Sequence, residues 1–161
     1  MKIKLITFIC LIFISINYQE VYAESLPTIK LHYKIVNNWG TPTRAAYKSI
    51  NETVTLTYHK KHATLIISES KCPKCKQVTQ DEIKQINANT KSGIVALFIH
   101  VNNNSASYQL YSSPKGVDSR LVRFMNNGLY YEIQLTINKE IMKSNYLEYE
   151  REFIKLINSI K

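Results

Sequence analysis

Cysteine, proline, glycine and tryptophan are all scarce in this 161-residue chain, at three, four, four and one. Without a Pro/Gly/Ser-rich stretch, a repeat or a low-complexity tract, nothing marks a linker, and the chain reads as one folding unit. No Gly-rich phosphate loop, Gly-x-Ser-x-Gly elbow or His-Glu-x-x-His helix occurs, which removes the nucleotide-binding, hydrolase and zinc-protease classes that rest on those motifs. Acidic residues are also few, 12 against 21 Lys and Arg, so the net charge is +9. The lysines stand singly rather than in a block. They read as a solvated basic surface, and there is no helix-turn-helix spacing or RNA-binding signature to mark a nucleic-acid site.

Long apolar runs are confined to the first residues. MKIKLITFICLIFISINYQEVYA opens with two lysines, runs apolar from Leu5 to Ile16 and ends in Val21-Tyr22-Ala23, the small-x-small pattern of a signal-peptidase site. Residues 1–23 are therefore expected to be a signal peptide, with Cys10 leaving as part of it. The mature chain, 24–161, is expected to be a single α+β domain exported to the periplasm or the cell exterior. No later segment approaches the roughly 20 apolar residues of a membrane-spanning helix.

Periodicity supplies the elements. LPTIKLHYKIV (26–36) reads as extended, 37–42 as a turn, and TRAAYKSI (43–50) as a short helix. Val54, Leu56 and Tyr58 alternate with threonines, and Leu65 and Ile67 resume the pattern, which predicts a β-hairpin turning near Lys60-Lys61. Thr79-Gln80-Asp81-Glu82 is a capping box, so a helix should begin at Thr79 and carry Ile83 and Ile86 on its apolar face. GIVALFIHV (93–101) is apolar on both faces and reads as a central strand, with ASYQLYSS returning beside it. Asn127-Gly128 joins LVRFMN to LYYEIQLTI, the strongest short-range hairpin signal, and alternation in the second strand gives one buried face and one wet face. Asn145 is expected to cap a closing amphipathic helix with Tyr146, Tyr149, Phe153, Leu156 or Ile157, and Ile160 on its apolar side. The sum is an α+β fold, a mostly antiparallel sheet packed against two or three helices.

The pairing of GLYYEIQLTI with a closing YEREFIKLINSIK resembles the end of PsbP-like domains, the α/β/α fold of the photosystem oxygen-evolving-complex protein, a Ran-binding import factor and many small exported bacterial proteins. The resemblance spans residues 93–161 and rests on no catalytic motif. It implies a non-enzymatic binding or assembly domain and carries over no site residue; the expected partner of an exported module of this kind is a protein or cell-envelope component.

Cys72-Pro73-Lys74-Cys75 admits three readings. It is similar to the active-site motif of glutaredoxin and thioredoxin-like proteins, which implies a periplasmic thiol–disulfide oxidoreductase with Cys72 as attacking and Cys75 as resolving thiol. In such enzymes the first cysteine sits on a helix N-terminus, which lowers its pKa. The capping box argues for the second reading, a structural disulfide, because it starts the helix after the cysteines. Zinc bound by His59, His62, Cys72 and Cys75 has the right ligand number, yet the strand between the two pairs should separate them by roughly 30 Å. Nothing else in the sequence asks for a cofactor. For binding, Tyr130 on the wet face of its strand, with Tyr108 and Tyr111 on a neighbouring one, form the candidate aromatic surface.

Overall fold

The computed structural model describes residues 39–89, 93–114, 116–140 and 143–160. The expected signal peptide and the extended stretch 26–36 lie outside these residues. Among the described residues seven antiparallel strands form one sheet in the order β1-β2-β3-β7-β6-β5-β4: β1 (Arg44–Lys48), β2 (Thr53–Lys60), β3 (Ala63–Lys71), β4 (Ile94–Val101), β5 (Asn104–Ser112), β6 (Val117–Asn126) and β7 (Leu129–Asn138). Helix α1 (Gln80–Asn89) lies between β3 and β4 in the chain, and α2 (Lys143–Ser159) closes it. The architecture is α+β as the alternation indicated, though with more sheet than helix.

The β2–β3 and β6–β7 hairpins match the sequence reading. In the latter turn Asn127 (φ 49°) and Gly128 (φ 78°) both take the left-handed backbone that a tight two-residue connection demands. Alternation then sorts β7. Tyr131, Ile133, Leu135 and Ile137 are buried beside Val122, Phe124, Leu65 and Ile67, and Phe153, Leu156, Ile157 and Ile160 complete the same core. Tyr130, Glu132, Gln134 and Thr136 face the opposite side, which α2 does not cover.

Three expectations need correction. Residues 43–50 are not a helix: Arg44–Lys48 pairs with β2 and only Ser49–Asn51 makes a 3-10 turn. A segment this short cannot repay helix nucleation, whereas the open edge of β2 offers ladder bonds, and the Thr43 amide and hydroxyl both donate to the Thr57 carbonyl (2.8 and 3.1 Å). Helix α2 begins at Lys143, which puts Asn145 inside the first turn rather than at the cap. Most consequentially, the strand in 93–101 is not central but an edge, with Val95 51% and Leu97 44% exposed. Its edge is closed by a side chain. The Asn87 carboxamide accepts from the Ala96 amide (2.8 Å) and donates to the Ala96 carbonyl (2.9 Å), taking the place of an eighth strand at that position.

Polar contacts fix the start of α2 to the sheet. Arg120 donates to Glu150 (3.0 Å) and to the Tyr146 hydroxyl (2.6 Å), which donates to Asp118 (2.8 Å). Lys139 lies 3.1 Å from Asp118. Desolvation works against the Asp118 charge, but hydrogen bonds from Ser112, Tyr146 and Lys139 outweigh it and hold the carboxyl below its ordinary pKa. A depressed carboxylate stabilises the fold in full above its unfolded value, about 3.9, and that contribution is lost as pH falls toward the folded value. Urea midpoints at pH 5 and pH 3 should therefore differ less in Asp118→Asn than in the parent chain. An equal difference would show that Asp118 is not part of the acid response.

Candidate functional site

The crossover from β3 to β4 builds the site. After Lys71, which pairs with Leu129 of β7, the chain makes a turn in which the Cys75 amide donates to the Cys72 carbonyl (3.0 Å), and the two cysteines are disulfide-bonded with their Cα atoms 5.2 Å apart. Gln77 then reaches the Met125 carbonyl and Asn104, tying the connection to the ends of β6 and β5. The capping box forms as read: Glu82 N–H donates to Thr79 Oγ1 (3.2 Å) and Thr79 N–H to Glu82 Oε2 (2.8 Å). Ile83 is buried and Asn87 locks α1 to β4. This places α1 along the edge of the sheet, overhanging the face opposite α2.

Between α1 and that face lies a cleft of about 650 Å³, lined by Cys75, Lys76, Glu82, Gln109, Arg123 and Tyr130 among others. A second hollow of about 360 Å³ shares Gln109 with it and continues along the strands past Leu121 and Gln134 to Tyr111 and Thr136. The pairing register explains the alignment. Gln109, Leu121 and Gln134 form one cross-strand row, Tyr111, Ser119 and Thr136 the next, and Ser107, Arg123 and Glu132 the row on the other side. The two hollows are thus one trough along the open face.

Arg123 donates to Glu132 (2.8 Å) on the trough floor. Burial raises the Tyr130 pKa, with Arg123 opposing and Glu132 reinforcing the shift, so the phenol stays neutral and keeps its donor proton across ordinary pH. Gln134 donates to Ser119 Oγ (3.0 Å), which holds its amide plane across two strands.

The tyrosines expected to form one surface are divided by the pleat. Tyr130 lines the cleft and Tyr111 the second hollow, on one face. Tyr108, one row away from Gln109, points to the other face, where it packs on the core near Arg120 and Glu150. Strand β6 also intervenes between β5 and β7. Ser107, Gln109, Arg123 and Gln134 escaped the sequence reading, although alternation in ASYQLYSS already groups Ser107, Gln109 and Tyr111.

Cys72 lies eight residues before the first residue of α1, away from the helix N-terminus that an attacking thiol uses. The thioredoxin-like resemblance also implies a proline loop facing the cysteine pair, but Pro114 follows Ser112, which pairs with Asp118 at the end of the sheet remote from Lys71, roughly 25 Å along the strands. His59 and His62 sit at the far end of β3 from Cys72, and His59 Nδ1 is bonded to Thr64 Oγ1 (2.9 Å). Among the described residues no group of three or more His, Cys, Asp or Glu is arranged to hold a metal ion. As a closure of a four-residue loop the disulfide contributes about 2 kcal/mol at most. The Cys72→Ser/Cys75→Ser double variant should unfold in one cooperative transition shifted by no more than that in chemical denaturation. A loss of cooperativity would mean the turn organises more of the fold.

Among the described residues no helix is long and apolar enough to cross a membrane. Comparison with family models, with curated proteins and with solved structures returns no match, so the trough and the cysteine turn are interpreted from their own geometry.

Proposed function

We propose that this chain is an exported, non-enzymatic binding module that holds a cell-envelope or protein-borne ligand in the trough between α1 and the open sheet face. The observation that carries this reading is the trough itself. It combines a cleft of about 650 Å³ with amide, hydroxyl and aromatic groups on rigid strands, the composition of a recognition site, without an activated nucleophile or an acid–base pair set against one another. The disulfide supports export, because such bonds persist in oxidising compartments. Helices on opposite sides of an antiparallel sheet agree with the resemblance to PsbP-like domains, which we retain as part of the proposal.

Backbone amide NMR with a library of small polar and aromatic fragments tests the reading. Shifts clustered at Ser107, Gln109, Arg123 and Tyr130 are expected. Shifts confined to β1 or the outer side of α2, with the trough silent, would refute it. Cys75 among the residues lining the cleft favours one competing reading, a thiol–disulfide oxidoreductase whose substrate lies in the same trough.

A further inference from the structure

The charge distribution of the open face names the class of ligand. The chain carries 21 basic and 12 acidic residues; on the open face Arg44 and Lys48 stand on the outer strand β1, remote from the trough, and on the rows of β2, β3, β5, β6 and β7 the formal charges among the described residues are Arg123 and Glu132, paired with each other at 2.8 Å. What covers these rows instead is hydroxyl and amide. Thr55 and Ser68 share a hydrogen bond (3.0 Å), Thr64 meets His59, and Gln134 meets Ser119. In the trough proper, the second hollow is lined wholly by uncharged residues, with Gln109, Gln134, Ser119 and Thr136 as the polar ones and Tyr111 and Leu121 beside them.

We infer that the trough binds a neutral, hydroxyl-rich chain, an oligosaccharide lying along the strands; this rests on the reading of the trough as the binding site. Hydroxyls and primary amides both donate and accept, so they match sugar hydroxyls, which do the same. Formal charges would instead select a charged partner, and an anionic polymer would need a run of cations along its path; among the described residues the first cleft has Arg123, engaged by Glu132, and Lys76 on the α1 side with Glu82 of opposite sign on the same wall, while the second hollow has none. The rings of Tyr130 and Tyr111, half-buried at separate points along the trough, present apolar surface with a polar tip, suited to the C–H faces of pyranose rings. Two hollows joined at Gln109 make the site longer than one sugar. Affinity should therefore rise with chain length over the first few units.

The test is an NMR and calorimetric titration of the oxidised chain with neutral cello-, malto- and chito-oligosaccharides of one to six units at low and high salt, beside a sulfated polysaccharide. Expected are amide shifts at Gln109, Ser119, Tyr130 and Gln134 with one neutral series, affinity growing with length and unchanged by salt. Gln109→Ala and Gln134→Ala, both on the solvent side of the sheet, should each weaken that binding on the order of tenfold or more. Circular dichroism and urea midpoints matching the parent would exclude unfolding. If only the sulfated polymer binds, with salt-suppressed affinity, the ligand class is wrong while the site stands. If the fragment library shifts the trough and no saccharide does, the result is the same. If neither fragments nor saccharides shift it, both the inference and the reading beneath it fall.

Discussion

Trp39→Ala is expected to lower the folding free energy by about 3–5 kcal/mol, the usual cost of emptying a large aromatic site. Trp39 is 5% exposed and packs at 5.8 Å against the Tyr149 ring of α2. Lys60 extends from the end of β2 over both rings, at 4.9 and 5.3 Å, and bonds the buried Glu152 carboxylate at 3.2 Å. The indole thus joins the segment leading into β1, the β2–β3 hairpin and the final helix. Its removal opens a cavity and loosens the Lys60 contact to the buried Glu152 carboxylate. Urea denaturation followed by circular dichroism measures the loss. A change below about 1 kcal/mol would mean that the packing around Trp39 contributes little to α2.

The second large effect should come from Asn87→Leu. Both ladder groups of Ala96, in a residue only 2% exposed, depend on the Asn87 carboxamide. Leaving two such groups unpaired costs about 2–4 kcal/mol, from roughly 1–2 each. The consequence extends beyond stability. Strand β4 carries no lysine, proline or bulge of its own, and an uncovered apolar edge is a template for pairing with another chain. Sedimentation velocity should show the variant self-associating at concentrations where the parent is monodisperse, whereas Asn89→Leu, a neighbouring helix position, should not. Parent-like sedimentation of Asn87→Leu would show that the edge is protected by something else.

These residues also show where sequence reading stops. Asn127-Gly128, the Thr79–Glu82 box and the alternation of β7 are local signals, and the structure has each of them. Arg44–Lys48 misleads because its strand is made by pairing with β2, fourteen residues away at Thr43 and Thr57, which local propensity does not contain. GIVALFIHV misleads because a strand covered along its edge by a helix and a strand covered by another strand share the same apolar signature. Strand order, not composition, separates them. The trough has the same origin. Gln109, Leu121 and Gln134 are distant in sequence and become one row only through register, while Tyr108 and Tyr111 are close in sequence and end on opposite faces.

The cysteine turn bears most directly on the account that the open sheet face, and not Cys72-Pro73-Lys74-Cys75, is the working part. Disulfide-bonded Cys72 stands in a turn ahead of the helix, away from the helix N-terminus that activates an attacking thiol, with exposed lysines beside it. The decisive measurement is the pH dependence of alkylation of Cys72 in the reduced chain, with Cys75→Ser to isolate it. The expected result is alkylation no faster at neutral pH than that of a free cysteine, rising as the solution is made alkaline. A pKa near or below about 7, with correspondingly fast exchange at neutral pH, would contradict it and make the disulfide the centre of the protein's chemistry.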